Sequence, residues 1–203
     1  MAELVLYKVQ HQQAQVPVAE YLQECVDVDK FLGYCQQCEN YNRRWSCPTF
    51  DFAPMDIWRR FKSLWLVNCV LTPLPGTTLE QLLAGLQQEK NRLHEALLSL
   101  EKQNTGAWAL SAGSCKLCAE GCSRPQGQPC RQPERMRYSL EALGGDVGKT
   151  AELYFKQPLV WIKNGEMPAY LTLVGGLLLT EEIKGVWFDE EREFSIPTGL
   201  FAG

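Results

Sequence analysis

The sequence predicts an α/β fold, with α+β as the alternative: a mixed sheet with flanking helices and two cysteine-rich metal-binding loops. Three observations predict it. Strand-like and helix-like segments alternate through the first half of the chain, which is the pattern of helices layered on a sheet. One central segment carries leucines at helical spacing between two end signals. Seven of the nine cysteines fall into two compact groups rich in glycine and proline.

In chain order, residues 4–9 read as a first strand. Residues 18–32 read as helical in parts, with Tyr21, Leu22, Cys25 and Val26 on an apolar face. Residues 34–54 are loop-like and carry the first cysteine group, and residues 57–61 suit a short helix. Residues 64–71 are almost continuously apolar and β-rich, as a buried strand is. Pro73, Pro75 and Gly76 mark a turn. Thr78 then serves as N-cap, with Gln81 completing a capping box.

Leu79, Leu82, Leu83, Leu86, Leu93, Leu97 and Leu100 follow on one helical face, and Gly106 closes that helix. Residues 107–110 form a strand that runs into the second cysteine group. Residues 139–143 and 147–155 read as helical, broken by Gly144-Gly145. Residues 159–162 and 170–179 read as strands. Asn164-Gly165 between them favours a hairpin turn.

With 203 residues, 45% of them hydrophobic, the chain suits a single domain over residues 1–203 with a true core. A net charge of −4 without a long basic run gives nucleic acid no electrostatic footprint. No stretch approaches the roughly 20 apolar residues that span a bilayer. The N-terminus lacks the basic, apolar and small-residue succession of a signal peptide. The expectation is a cytoplasmic protein that binds neither nucleic acid nor membrane.

In a reducing compartment, cysteines at ligand spacing hold metal or do redox chemistry rather than form disulfides. Cys115, Cys118, Cys122 and Cys130 give C-x2-C-x3-C-x7-C, amid Gly113, Gly121, Pro125, Gly127 and Pro129. A cluster needs thiolates converging from a tightly wound loop, and glycine permits that winding. Four cysteines can ligate a four-iron cluster. Zinc also takes four thiolates, but its usual ribbon has two C-x2-C knuckles about 15–20 residues apart. Iron–sulfur is therefore the preferred cofactor, as 4Fe-4S, with zinc the alternative.

Cys35, Cys38 and Cys47 form the first group, with Pro48 directly after the last. Three thiolates leave one position for another cysteine, a different ligand or a substrate. The two groups can also exchange ligands, as in two-cluster ferredoxins. Cys69 lies in an apolar run and reads as a small buried hydrophobe. Cys25 reads the same way and is the first candidate for a missing ligand.

Other patterns fail. Gly148-Lys149-Thr150 ends like a phosphate loop, but the glycine that motif requires falls on Leu143. The C-x3-C-x2-C order of radical enzymes using S-adenosylmethionine is reversed here. His11 and His94 have no motif context.

Tyr34-Cys35-x2-Cys38-x2-Tyr41-x3-Trp45-Ser46-Cys47-Pro48 resembles one block of a known family. Gly113-x-Cys115-x2-Cys118-x3-Cys122 and Pro129-Cys130-Arg131-x-Pro133-x2-Met136-Arg137-Tyr138-Ser139-x-Glu141-Ala142-x-Gly144 resemble its second. The chain is identified as resembling the predicted metal-binding proteins catalogued as domain of unknown function 2284. The resemblance implies metal binding by the seven cysteines and no particular reaction. The family often has a second proline where Thr49 stands and a histidine where Gln132 stands. The latter departure argues against an essential ligand at 132.

Arg131, Arg137, Ser139 and Glu141 admit two readings. One is structural, with Ser139 capping a helix and the arginines paired with carboxylates. The other is a polar shell around a cluster or its substrate. For the whole chain the leading function is a redox or electron-transfer protein working with an electron donor or acceptor protein. An enzyme with an open iron acting on a small-molecule substrate and a zinc-stabilised interaction module remain beside it.

Overall fold

The computed structural model describes residues 6–181. Among these residues four strands form one sheet in the order β1-β2-β4-β3. They are β1 (Tyr7–Pro17), β2 (Ser63–Pro73), β3 (Trp108–Leu110) and β4 (Leu171–Leu179). Every pairing is antiparallel, so the fold is α+β. The helices are α1 (Val18–Cys25), α2 (Val28–Gln36), α3 (Pro54–Trp58), α4 (Leu79–Gln103) and α5 (Val147–Phe155).

The alternation that suggested a mixed sheet has a structural cause. β2 and β3 both run antiparallel to β4, so they run parallel to each other, joined by the α4 crossover. β4 slots between them and makes all hydrogen-bonded neighbours antiparallel.

Helices and loops cover both faces of the sheet. On one face Trp65, Val67, Cys69 and Leu71 of β2 pack with Leu82, Leu93 and Leu97 of α4. On the other, Leu64 and Leu66 join Tyr21, Trp58, Leu143, Ala151 and Phe155. A strand buried on both faces reads as a continuous apolar run, which is why β2 is legible in the sequence.

β1 is an edge strand and is longer than the sequence suggests. Leu4 and Val5 of the expected first strand lie outside the described residues, and the strand runs on to Pro17. Its glutamines hide it, yet they serve β2. Gln12 accepts from the buried Asn68 amide at 2.8 Å, and Gln13 accepts from the Trp65 indole N–H at 3.3 Å.

Thr78 and Gln81 form the expected capping box of α4. Gly85 in α4 makes room for the Tyr7 ring, since a Cβ there would lie 2.2 Å from Tyr7 Cε1. The Tyr7 hydroxyl donates to the buried Glu89, which also accepts from Arg92. This binds the helix to the sheet edge.

The expected strand at 159–162 is not formed. Asn164 and Gly165 do make a turn at positive φ. However, among the described residues the strands paired with β4 are β2 and, over Gly176–Leu178, β3. Ser139 and its neighbours form a 3-10 turn, Glu141–Leu143, rather than an α-helix.

Candidate metal centre

Cys35 lies in the last turn of α2 and Cys38 just beyond it, where its backbone N–H donates to the Cys35 carbonyl. The loop then folds on itself through Arg43 N–H to Asn40 O and Asn42 N–H to Pro48 O, and returns to Cys47. Asn40 offers Cys38 Sγ its backbone N–H at 3.5 Å and its side-chain amide at 3.7 Å. Burial, then the neighbouring Cys47 and Cys38, push the Cys35 thiol up to about 11. The three cysteines of the first group are therefore electrostatic neighbours.

The second group hangs from β3. Lys90 of α4 holds the start of the loop by donating to Ser114 O at 2.6 Å. Within the loop the buried Ser123 hydroxyl donates to Pro129 O at 2.6 Å, and Arg131 donates to Gly121 O. At its exit Arg137 makes a bidentate pair with Glu101 of α4.

Cys115, Cys118, Cys122 and Cys130 all line one cavity, shared with Arg44, Trp45 and Ser46 of the first loop. About 350 Å³ of empty space lies within it, part of it open to solvent. Burial is the main cause that raises the Cys115 thiol. The Leu117 N–H pulls it back, and Cys130, Cys118 and Cys122 push it further up. Among the described residues no three His, Cys, Asp or Glu side chains converge closely enough to hold a single ion.

The two loops touch. Ser46 is buried, and its Oγ accepts from the Cys115 N–H at 3.0 Å and lies 3.8 Å from Cys47 Sγ. Arg44 donates to Cys115 O at 2.7 Å. The Cys35 helix also abuts the turn after the second loop. Gly144, at φ +89°, sits where a Cβ would lie 2.7 Å from Val28 Cα, so only glycine permits that approach.

Cys25 is buried in the core, where Thr150, Lys149, Asp146 and Glu24 are its electrostatic neighbours. None of these neighbours belongs to the first group. Cys69 is fully buried on the α4 face, as expected. Gln132 donates to Leu117 O at 2.9 Å and points its amide at Cys118 Sγ, 3.8 Å away. It braces the loop through these contacts.

Ser139 caps the Glu141 turn by accepting from Ala142 N–H, and Arg137 pairs with a carboxylate, so the structural reading holds for both. Arg131 braces backbone instead. His94 bonds the Arg135 carbonyl and lines a second cavity beside Cys115 with Lys90 and Lys116.

Sequence reading missed Arg124, Lys90 and the bridging role of Ser46. Arg124, a cation amid the glycines and prolines between Cys122 and Cys130, was the one available signal.

No helix among the described residues is long and apolar enough to cross a membrane. Neither a curated protein nor a solved structure matches the chain. A family match does cover residues 22–179, and so includes both cysteine groups and the elements that carry them. By that match the chain belongs to the family described as Predicted metal-binding protein (DUF2284).

Proposed function

We propose that the chain is an iron–sulfur protein with a redox role. In this reading Cys115, Cys118, Cys122 and Cys130 hold a four-iron cluster, and Cys35, Cys38 and Cys47 supply three thiolates to a second site. The observation that carries it is that four thiols line one cavity. A zinc ion, bound at about 2.3 Å by each sulfur, draws its four ligands to a point. A cubane core of eight atoms holds its ligands around a volume.

The surroundings suit a centre of negative charge. Arg44, Lys90 and Lys116 gather at Cys115, and burial, then the charges of Lys116 and Arg44, push Lys90 down to about 8. Backbone and amide N–H groups point at thiol sulfurs, at Leu117 and Asn40. Such outer hydrogen bonds orient ligands and set potentials. A cluster so held supplies one-electron transfer. Cys38 is exposed while the other six are half-buried, so the first group offers the shortest approach to an electron donor or acceptor protein. The same exposure would admit a small molecule to an incompletely ligated iron.

Anaerobic purification with iron, zinc and acid-labile sulfide analysis tests the reading. Iron and sulfide in a brown protein are expected. Zinc without sulfide would replace it with a structural zinc module. Cyanide or a thiolate added to reduced protein then separates the two redox readings. A changed electron-paramagnetic-resonance spectrum marks an open iron, and an unchanged one marks an electron carrier.

A further inference from the structure

Arg124 belongs to the second cysteine loop, yet its guanidinium serves the first. Nη1 donates to Arg44 O at 2.8 Å and to Cys47 O at 2.6 Å. Nη2 donates to the Thr49 carbonyl. The guanidinium also lies 5.2 Å from the centre of the Trp45 ring, and the Trp45 indole N–H returns a bond to Gln128 O at 3.1 Å. Among the described residues Arg124 forms no ion pair with a carboxylate. Its donors are spent on the backbone from 44 to 49, the segment that carries Cys47.

We propose that Arg124 is a positioning residue for the first cysteine group, locking the backbone around Cys47 so that the two groups form one composite centre. The proposal rests on reading the cysteines as metal ligands. A planar fork of five donors suits this task because it reaches several carbonyls at once in fixed directions. Lysine at 124 would keep the charge and the reach but lose the fork. Arg44 answers from the other side through Cys115 O, and Ser46 bridges Cys47 and Cys115. Displacing the segment 44–49 therefore disturbs both groups.

The test uses the full chain reconstituted anaerobically with ferrous iron and sulfide. Arg124→Gln and Arg124→Lys are made in the otherwise native sequence. Iron per chain and the rate of iron loss to a chelator are measured. Arg124→Gln should speed iron loss about tenfold or more, the usual scale for removing an outer partner of a ligand. Arg124→Lys should fall between Gln and the parent. Should the Gln variant not fold, the Lys variant decides. Loss rates for Arg124→Lys equal to the parent's overturn the proposal while leaving the metal reading intact. A native chain that takes up no iron overturns both.

Discussion

Cys69 and Cys122 carry the same thiol in opposite surroundings. Cys69 is sealed between β2 and α4, and burial pushes its thiol up to about 12. Cys122 lines an open cavity with three other cysteines. Serine in place of Cys115, Cys118, Cys122 or Cys130 should cost the second group its metal and loosen the loop, because metal sites rarely persist without their ligands. Metal analysis of the four variants checks this, and a full complement in all four would refute the assignment.

Cys69→Ala should leave metal content intact and cost on the order of 1 kcal/mol. In the folded native chain Cys69 should resist alkylation at pH 8. The sign of its pH dependence follows from the raised value. The neutral thiol's contribution is whole below the ordinary value of 9.0 and is lost as pH rises towards about 12. Denaturant titrations across that range should show less alkaline loss for Cys69→Ala than for the native chain.

At this scale the two cysteine groups were legible and the side chains that brace them were not. Spacing along two glycine- and proline-rich loops set the seven cysteines apart, and an apolar run marked Cys69 as a buried residue. Arg124 and Ser46 act across about 70–80 positions of sequence, a relation made only by folding.

Among the elements, β2 and α4 announced themselves because each obeys one rule throughout: burial on two faces, and a capped apolar stripe. β1 was legible only at its start, since beyond Val9 an edge strand with glutamines on it has no apolar run to read. Gly85 is the informative position of α4. Alanine is the better helix former by about 1 kcal/mol, but here its Cβ would strike the Tyr7 ring. Gly85→Ala should therefore destabilise the protein, by roughly 1–3 kcal/mol as overpacking does. Urea unfolding of Gly85→Ala, Tyr7→Ala and the double variant tests it. The penalty of the alanine should shrink or reverse once the ring is gone.

Over the whole molecule, the sheet and the cysteine loops are separable. Both apolar clusters are built from strands, helices and their immediate connections, and none of the seven grouped cysteines belongs to either. Removing metal should leave the sheet folded and free the loops. Amide hydrogen exchange should show protection kept in β2, β4 and α4 after chelation, and lost over residues 37–49 and 113–131. Uniform loss through β2 would mean that metal holds the entire fold.

The slotting of β4 between β2 and β3 also sets an order of events during synthesis. Cys115 follows β3, whose strand partner is β4, and β4 is the last of the described strands to be made. All seven grouped cysteines are made before residues 171–179. Until those residues follow, the second loop is tethered to a strand with nothing to lie against. The first loop can close earlier, since β1 and β2 pair without waiting for later residues. The second loop therefore gains its strand support later in synthesis than the first.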